Sequence, residues 1–229
     1  MLALQDRILF EDNHLIAVNK LPGELVQGDK TGDTPLSDSI KYYLKRKYNK
    51  PGNVYLGVLH RIDRPTSGVV IFARTSKAAS RMSQSFKEKK IDKSYLAIVP
   101  KSPEIEIPEM IRNFLKKNEK QNKSYVSETP KEGYKEGITH VETLDKSDRY
   151  QLLKLKIMTG RHHQIRAQLS NLGLPIKGDL KYGSKRSNQD GSIDLHANEI
   201  GFVHPVKKEY LKIFAPHPKG IWDIFTVKY

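Results

Sequence analysis

The chain has 229 residues, which is long enough for one large hydrophobic core or for two coupled subdomains. It contains no cysteine, which excludes a disulfide framework, thiolate chemistry and a cysteine-ligated zinc ion. Lysine and arginine number 40 against 26 aspartates and glutamates, and the resulting net charge of +14 favours a polyanionic partner, in particular nucleic acid.

Neither a signal peptide nor a membrane span is predicted. The first apolar run, Ile8 to Val18, is interrupted by the polar residues Glu11 to His14. We therefore expect a soluble protein that is located in the cytoplasm and does not bind a membrane.

The chain opens with a predicted β-hairpin, which is followed by an amphipathic helix. Strand-like runs at Arg7–Phe10 and Leu15–Asn19 flank a short polar turn. Thr34 is predicted to cap a helix that has Pro35 in its first position. The apolar stripe of this helix is Leu36, Ile40 and Leu44. Lysines and an arginine occupy the other face, which we interpret as a solvated face.

A loop with several charged side chains is predicted between two buried strands. The loop is His60–Gly68; Leu56–Leu59 precedes it, and the unbroken apolar run Val69–Ala73 follows it. Pro65 fixes a backbone dihedral angle, and Gly68 permits a tight re-entry into the second strand. The loop is therefore expected to hold one conformation.

Asp63 is the single carboxylate of this loop, and it lies between Arg61 and Arg64. Nearby positive charge favours the ionised form of a carboxylate. An ionised aspartate in such a loop is suited to act as a nucleophile, as a metal ligand or as a structural ion pair. The loop alone does not choose among these three roles.

The next elements are predicted to be a second helix and another strand. The helix is expected to be capped by Ser76 and to end in a charged run. Its apolar stripe is Ala79, Met82 and Phe86. The strand is Lys93–Val99, with Tyr95 at its polar entrance. An aromatic residue there either packs in the core or, if it faces a cleft, stacks on a base.

Residues 101–137 contain several prolines and many lysines, and they predict loops with a short helix over Met110–Leu115. Strands are predicted again at Thr139–Leu144 and Gln151–Met158. In the second of these, leucines and isoleucine alternate with lysines, which is typical of a strand with one buried and one wet face. We place no domain boundary in this part of the chain.

A second polar stretch, Thr159–Arg166, follows directly. Gly160 makes the turn off the strand, and the helix that comes next is predicted to end at Gly173. The partial positive charge of a helix N-terminus, together with Arg161 and the two histidines His162 and His163, suits an anion. Adjacent helical positions diverge by roughly 100°, so these histidines make a poor metal site and we predict no metal.

The last part of the chain supplies further strands and a basic loop. Strand-like runs lie at Ser192–His204 and Tyr210–Ala215, and Ile221–Phe225 completes the core. The loop Lys181–Arg186 interleaves basic residues with a tyrosine, a pattern that suits phosphate contacts and base stacking. Taken together, the elements predict a basic α+β protein.

Five short segments contain recognisable motifs, and their combination and order are more specific than any one motif alone. They are His60–Gly68, Lys93–Val99, Thr159–Arg166, Pro175–Asp179 and Leu195–Ala197. The first resembles the His-Arg-Leu-Asp-x-x-Thr-Ser-Gly signature of the RluA-type RNA pseudouridine synthases, with isoleucine in place of leucine. The second and third are similar to the Lys-x-Tyr and Thr-Gly-Arg-x-His-Gln-Ile-Arg motifs of that family. The similarity covers nearly the whole chain.

The resemblance implies a fold and an activity. The fold would be a single α+β catalytic domain over residues 1–229, with a mixed, mostly antiparallel central sheet, flanking helices and loops, and a cleft across the middle. The activity would be the isomerisation of uridine to pseudouridine in structured RNA: the glycosidic bond breaks, the base turns, and carbon 5 is joined to the ribose. Neither a cofactor nor a metal is needed.

The resemblance also implies residue roles. Asp63 would be the nucleophile, Tyr95 would stack on the target uracil, and Arg166 would form a salt bridge with Asp63. Arg61 would take the place of the flipped base, and Leu195 would help to close the pocket. Further substrate contacts are expected at His60, Arg64, Thr66, Arg161, His163 and Gln164.

Two other functional classes remain open at this point. A metal-dependent RNA hydrolase could use Asp63 with the histidines, and a non-catalytic RNA-binding or ribosome-assembly protein could keep the motifs as a binding surface. The partner would be ribosomal or transfer RNA, and a monomer is expected. Because the similarity begins almost at residue 1, we expect no accessory N-terminal RNA-binding domain. The segment Gly137–His140 departs from the family's usual pattern, so its contacts are not inferred.

Overall fold

The computed structural model describes residues 3–29 and 31–226. In chain order the strands and α-helices are β1 (Ile8–Glu11), β2 (Leu15–Lys20), α1 (Leu36–Lys47), β3 (Gly57–Val58), β4 (Ser67–Ala73), α2 (Ser76–Lys87), β5 (Asp92–Pro100), β6 (Met110–Asn118), β7 (Lys123–Ser127), β8 (Lys135–Lys146), β9 (Tyr150–Ile157), α3 (Gln164–Asn171), β10 (Leu195–Val203) and β11 (Tyr210–Phe214). These elements belong to two compact units. The first runs to Ile91 and includes Ala197–His217; the second comprises Asp92–His196 and the segment from Pro218 onward.

The first unit is built on strands in the order β1-β2-β4-β10, with β3 paired to β4 and β11 paired to β10. Strand β10 belongs to this unit from Ala197 onward. The predicted N-terminal hairpin is present, because β1 and β2 pair antiparallel. Strand β4 is buried over its whole length, as its apolar run predicted, whereas β3 is only two residues long. The core that α1 covers consists of Ile16, Val18, Val26, Leu36, Ile40, Leu44, Val70 and Phe72.

Helix α1 begins one residue later than predicted from Thr34 as its cap. The helix begins at Leu36, and Pro35 stands at its N-cap without a side-chain hydrogen bond. The first two helical amides donate instead to the carbonyls of Leu25, at 2.7 Å, and Val26, at 3.2 Å. Because the backbone of the preceding loop satisfies these donors, no capping side chain is required.

The start of α2 was predicted one residue late. The N-cap is Thr75, whose hydroxyl accepts a hydrogen bond from the amide of Ala78 at 3.2 Å, so Ser76 is already helical. The buried face of the helix contains Ala78 and Met82, while Ala79 is only half-buried. The stripe was therefore right at Met82 and displaced by one residue at its N-terminal end.

The second unit contains strands in the order β5-β9-β8-β6-β7, and each neighbouring pair is antiparallel. The short helix predicted over Met110–Leu115 is wrong, since these residues lie in β6. Ile111, Asn113 and Leu115 are buried while the residues between them are more exposed, which is the period of a strand. The apolar residues of this segment are too few to distinguish that period from a helical one in the sequence.

Helix α3 closes one side of the second unit. Ile165 and Leu169 contribute to its main apolar cluster, as predicted. The helix ends before Gly173, which has φ of +79° and donates its amide to the carbonyl of Ser170 at 3.0 Å. The predicted α+β class with a mostly antiparallel sheet is confirmed, whereas the single domain over 1–229 stays a prediction. None of the helices described is long and apolar enough to cross a membrane.

Candidate active site

The Asp63 loop belongs to the first unit, and its path is fixed by the backbone. The carbonyl of Asp63 accepts a hydrogen bond from the amide of Thr66 at 3.0 Å, which closes a four-residue turn. Gly68 then enters β4 with φ of +120°, and a Cβ atom there would lie 2.3 Å from the carbonyl oxygen of Ala197. Only glycine fits this position, so the tight re-entry expected from the sequence is present.

Lys20 supports the same loop through hydrogen bonds to backbone carbonyls. Its side chain is 0% exposed, and the ammonium group donates to the carbonyls of Leu21, Glu24 and Arg64 at 2.9, 3.0 and 3.0 Å. Burial lowers the pKa of Lys20 to about 7, against the opposing attraction of the Glu24 and Asp63 carboxylates. Sequence reasoning missed this residue. The signal was a lysine at the end of a strand whose first four residues are apolar.

The two arginines beside Asp63 are in different situations. Arg64 donates through Nε to the carbonyl of Gly23 at 2.9 Å and pairs through Nη2 with Asp33 at 2.7 Å. Arg61 is exposed. Arg64 therefore holds the loop to its surroundings, whereas Arg61 is placed where a large partner could reach it.

His60 and Thr66 are the other predicted contacts of this loop. Nε2 of His60 accepts the amide hydrogen bond of Ile71 at 3.0 Å, and its ring stacks on Phe86 with 5.2 Å between centroids. The hydroxyl of Thr66 is buried and has no hydrogen-bond partner within residues 3–29 and 31–226. Such a hydroxyl is unusual, because buried polar groups are nearly always hydrogen-bonded.

Arg166 lies in the second unit, in the first turn of α3, and is only 4% exposed. Its Nε and Nη2 donate to the two carboxylate oxygens of Asp179 at 2.7 and 2.8 Å, and its guanidinium carbon lies 5.0 Å from the ring centroid of Tyr182. These contacts fix the plane of the guanidinium group. Asp179 takes the edge of that plane that carries Nε and Nη2.

Tyr182 connects three elements through one hydroxyl group. Its oxygen accepts the amide hydrogen bond of Ser124 at 2.7 Å and lies 2.9 Å from Nδ1 of His163. The residue is 4% exposed, so the prediction that the tyrosine of this loop stacks on a base is wrong. The ring is used to support Arg166 instead. Asp179 was assigned no role from sequence, although it ends one of the five matching segments.

His163 precedes α3 in a left-handed conformation, with φ of +51°. Burial, together with the neighbouring Arg166 and His162, lowers the pKa of His163 to about 2. The ring is therefore neutral near pH 7. Its Nδ1 lies 2.9 Å from the Tyr182 hydroxyl oxygen, which also accepts the Ser124 amide hydrogen bond.

Gln164 shapes the turn that leads into α3. Its Oε1 accepts from the hydroxyl of Thr159 at 2.8 Å and the amide of Arg161 at 3.0 Å, while its Nε2 donates to the carbonyl of Ile138 at 3.1 Å and the hydroxyl of Thr139 at 2.9 Å. These four bonds use every donor and acceptor of the amide. Gln164 thus braces this turn, and its predicted contact with the substrate stays a prediction.

The bonds of Gln164 continue into a buried chain. The hydroxyl of Thr139 donates to Oε1 of Gln168 at 2.6 Å, and Nε2 of Gln168 donates to Oδ1 of Asn113 at 2.9 Å. Every bond thus runs in one direction from Thr159 to Asn113. The chain joins α3 to β8 and β6 within the second unit.

The histidines of this stretch are engaged with the protein. Nδ1 of His162 lies 2.9 Å from the hydroxyl of Ser124, and its Nε2 lies 3.1 Å from Oδ1 of Asn122. The rings of His162 and His163 stack at 3.7 Å. In the part of the chain that the structure describes, no group of three histidines, aspartates or glutamates is arranged to hold a metal ion.

The remaining predicted residues lie in the second unit. Tyr95 is half-buried in β5 and packs against the same apolar cluster that contains Leu195, which is 4% exposed. Arg161 donates through Nε to the carbonyl of Glu136 at 2.8 Å. Tyr95, Arg166 and Leu195 thus share a unit, while the Asp63 loop belongs to the other. The pairing of Asp63 with Arg166 stays a prediction.

Residues 14–171 match the family described as RNA pseudouridylate synthase. The chain belongs to that family. The matched stretch contains Asp63, Tyr95 and Arg166, and it ends before Asp179 and Tyr182. The family predicted from the motifs, and with it the enzyme class of RNA pseudouridine synthase, is confirmed.

Individual pseudouridine synthases resemble the chain over most of its length. A ribosomal large subunit pseudouridine synthase C of Buchnera aphidicola is 35% identical over 91% of this chain and 66% of its own length. A tRNA pseudouridine synthase C of Haemophilus influenzae is 32% identical over 91% of each chain. The solved structure of human RNA Pseudouridylate Synthase Domain Containing 4 covers 95% of this chain and 90% of its own, with a TM-score of 0.77 and 22% identity. That likeness supports the fold.

Proposed function

We propose that this protein isomerises specific uridines in structured RNA to pseudouridine, with Asp63 as the nucleophile. The observation that carries the proposal is the family match over residues 14–171, which includes the Asp63 loop and the Thr159–Arg166 stretch. Relatives named for ribosomal RNA and for transfer RNA are both similar to the chain, so either RNA is a candidate substrate. Action on these RNAs would place the protein in the cytoplasm, and we expect it to act as a monomer.

The proposed chemistry needs an ionised carboxylate, a target base that is extruded from the RNA base stack, and a protein surface that binds the extruded base. Asp63 would form a transient covalent bond to the nucleotide while the glycosidic bond is broken. The base would turn, and its carbon 5 would be joined to the ribose; the proton lost from carbon 5 balances the one gained at N1. The isomerisation is internal to the nucleotide, so it consumes no co-reactant.

Arg166 is the proposed partner of Asp63, and the structure of the second unit supports this role. Asp179 holds one edge of the guanidinium plane, so the direction of the Nη1 end is set before substrate binds. A cation held in a buried position favours the ionised form of a carboxylate placed against it. Tyr95 is proposed to stack on the target uracil.

Reaching a uridine within structured RNA requires its extrusion from the base stack, which costs a few kcal/mol. Arg61 is proposed to compensate by taking the vacated place in the stack, and its exposure is compatible with that role. The buried, unpartnered hydroxyl of Thr66 offers a contact to the bound nucleotide or to Asp63. Arg161 and Arg64 are proposed to contact phosphates through the N–H groups that their protein contacts leave over.

The deciding experiment compares pseudouridine maps of cellular RNA with and without this protein, followed by turnover of the identified RNA by purified protein. Asp63→Asn should abolish turnover and leave RNA affinity within a few-fold, because phosphate contacts dominate affinity. Asp148→Asn, at an exposed position, is the matched control and should behave like the native protein. Full turnover by Asp63→Asn would refute the nucleophile. Chelator-sensitive strand cleavage would point to a hydrolase.

A further inference from the structure

A groove runs along the outer side of α1 in the first unit. It lies between this helix and the 3-10 turn Leu4–Arg7, and its volume is about 1020 Å³. Gln5 and Thr34 contribute to its walls. None of the motifs discussed above lies in it. Its size is that of a site for a small molecule or for one or two nucleotides.

Two side chains of α1 give the groove a distinct chemistry. Tyr42 is 63% exposed, which is unusual for a large aromatic residue on a helix that has a well-formed buried face. The guanidinium carbon of Arg46 lies 5.7 Å from the Tyr42 ring centroid, and its Nη1 donates to the tyrosine hydroxyl at 3.4 Å. The guanidinium group thus lies over one face of the ring, and the pair presents an aromatic group together with a cation.

The charges along α1 are divided between internal pairs and free cations. Lys41 is paired with Asp38 at 3.0 Å, and Lys47 is paired with Glu11 at 2.8 Å. Arg46 has no carboxylate partner within residues 3–29 and 31–226, and Lys45 is exposed. Of the charged residues that line the groove, Asp38 is negative while Arg46 and Lys47 are positive, so the wall carries one surplus positive charge. The interpretation of this face as merely solvated does not account for Tyr42.

The groove is attached to the Asp63 loop through one ion pair. Thr34, at one end of the groove, directly follows Asp33, whose carboxylate contacts Nη2 of Arg64 at 2.7 Å. Ile62 of the same loop packs against the apolar cluster that the buried face of α1 helps to form. A strand of polymer bound in the groove would therefore lie on an element that also supports the proposed nucleophile.

We propose that this groove binds a single-stranded segment of the RNA substrate outside the target nucleotide. A base stacks on Tyr42, and Arg46 contacts an adjacent phosphate. Stacking on an exposed aromatic residue and contacts from a guanidinium group are the two interactions that single-stranded nucleic acid uses without sequence preference. The inference rests on the proposed function for the identity of the polymer, and it adds a second binding site to it.

Binding of a fluorescein-labelled 12-nucleotide single-stranded RNA, followed by anisotropy, tests the groove. Tyr42→Ala should weaken binding about tenfold through loss of one stacked base. Tyr42→Phe should keep the native affinity, because the stacking face remains. Arg46→Gln should reduce the slope of log affinity against log salt by about 0.7, the value for one phosphate contact. Lys77→Gln, which removes an exposed cation from α2, should stay within twofold of the native protein.

Equal affinity of Tyr42→Ala and native protein would overturn the proposal. A polyglutamate peptide competitor provides a further check: if it displaces the RNA and its own binding also depends on Tyr42, the groove is a site for acidic peptides and the proposal fails. Tyr42 is exposed, so its variants should unfold at the native temperature, and a thermal melt verifies this.

Crosslinking separates this proposal from the proposed function. RNA carrying 4-thiouridine is irradiated with the native protein, and the adduct is mapped by mass spectrometry. An adduct at Tyr42 or its helical neighbours supports the groove even if no pseudouridine is found in any RNA, which would count against the proposed function alone. Pseudouridine formation without adducts on α1 would overturn the groove alone. Tyr42→Ala should raise KM for the RNA and leave kcat unchanged.

Discussion

The two halves of the proposed catalytic machinery are held in place by different means. The Asp63 loop is fixed through its backbone: a turn closed on Asp63, the three carbonyl contacts of Lys20, and Gly68 entering β4 with positive φ. Arg166 is fixed through side chains, chiefly Asp179 and Tyr182. A residue whose position is fixed by backbone hydrogen bonds keeps that position when nearby side chains are substituted. A residue whose position is fixed by other side chains loses it when any one of them is replaced. The two regions should therefore respond differently to mutation.

The largest effect is expected from breaking the side-chain support of Arg166. Asp179→Ala leaves a buried guanidinium group without its carboxylate, which typically costs about 3–5 kcal/mol of the free energy of unfolding. Turnover should fall as well, since the direction of the Nη1 end is no longer set. Urea denaturation and a pseudouridine assay measure the two effects. Asp92→Ala, which removes an exposed partner of Lys156, should cost at most about 1 kcal/mol; equal costs for both would show that the Arg166 pair is not special.

The next effect, a loss of stability, is expected from a change to the backbone of the Asp63 loop. Gly68→Ala forces an alanine into a left-handed conformation, which costs about 1–3 kcal/mol before the clash with the Ala197 carbonyl is relieved. Thermal and urea unfolding measure the loss. Gly28→Ala is the control, because a Cβ atom there meets nothing within 4 Å and the backbone needs no positive φ. A Gly68→Ala protein of native stability would mean that the loop re-enters β4 by another path.

The pKa of Lys20 allows the stability of the region around the Asp63 loop to be tested by changing the pH. The pKa of Lys20 is about 7 in the folded protein and 10.5 in an unfolded chain, so between these values the unfolded chain binds the extra proton. The contribution of Lys20 to the free energy of unfolding therefore rises with pH from about 7 to about 10.5. Lys20→Met should remove this rise, as measured by urea unfolding at several pH values. An identical pH dependence in both proteins would exclude a strongly depressed pKa.

His163 gives the corresponding test in the side-chain-held region. Its pKa is about 2 in the folded protein against 6.5 in the unfolded chain, so as pH falls the unfolded chain takes up the proton first. Stability should consequently decline as pH falls below about 6.5. His163→Asn, which suits the left-handed backbone, should make this decline shallower. His140→Asn, at an exposed position, should leave it unchanged, and equal slopes for all three proteins would contradict the assignment.

The sequence was informative where function depends on local backbone. Pro65 and Gly68 follow Asp63 so closely that a shaped loop could be predicted without knowing what lies around it. The burial of Arg166 could be anticipated only through the motif resemblance, since an arginine on a basic helix end is more often exposed. Its partner Asp179 lies 13 residues away, and spacing alone does not reveal such a contact.

The failures have related physical causes. Met110–Leu115 contains apolar residues that fit two periods, and the pairing of β6 with β8 decides between them. Thr34 was predicted as the cap because the local sequence pattern does not reveal that the carbonyls of Leu25 and Val26 accept hydrogen bonds from the first helical amides. Tyr182 lies in a basic, glycine-containing loop that resembles an exposed binding loop, yet packing buries it. Each error arose where a non-local partner overrides a local preference.

The directed hydrogen-bond chain from Thr159 to Asn113 restricts how this protein can change over evolutionary time. Each amide donates in one sense, so replacing Gln164 or Gln168 by the isosteric glutamate would remove a donor and leave two buried acceptors facing each other. A neighbouring residue would have to change at the same time for the chain to remain satisfied. We therefore expect substitutions at positions 113, 139, 164 and 168 to be coupled, so that the support of α3 changes through paired substitutions.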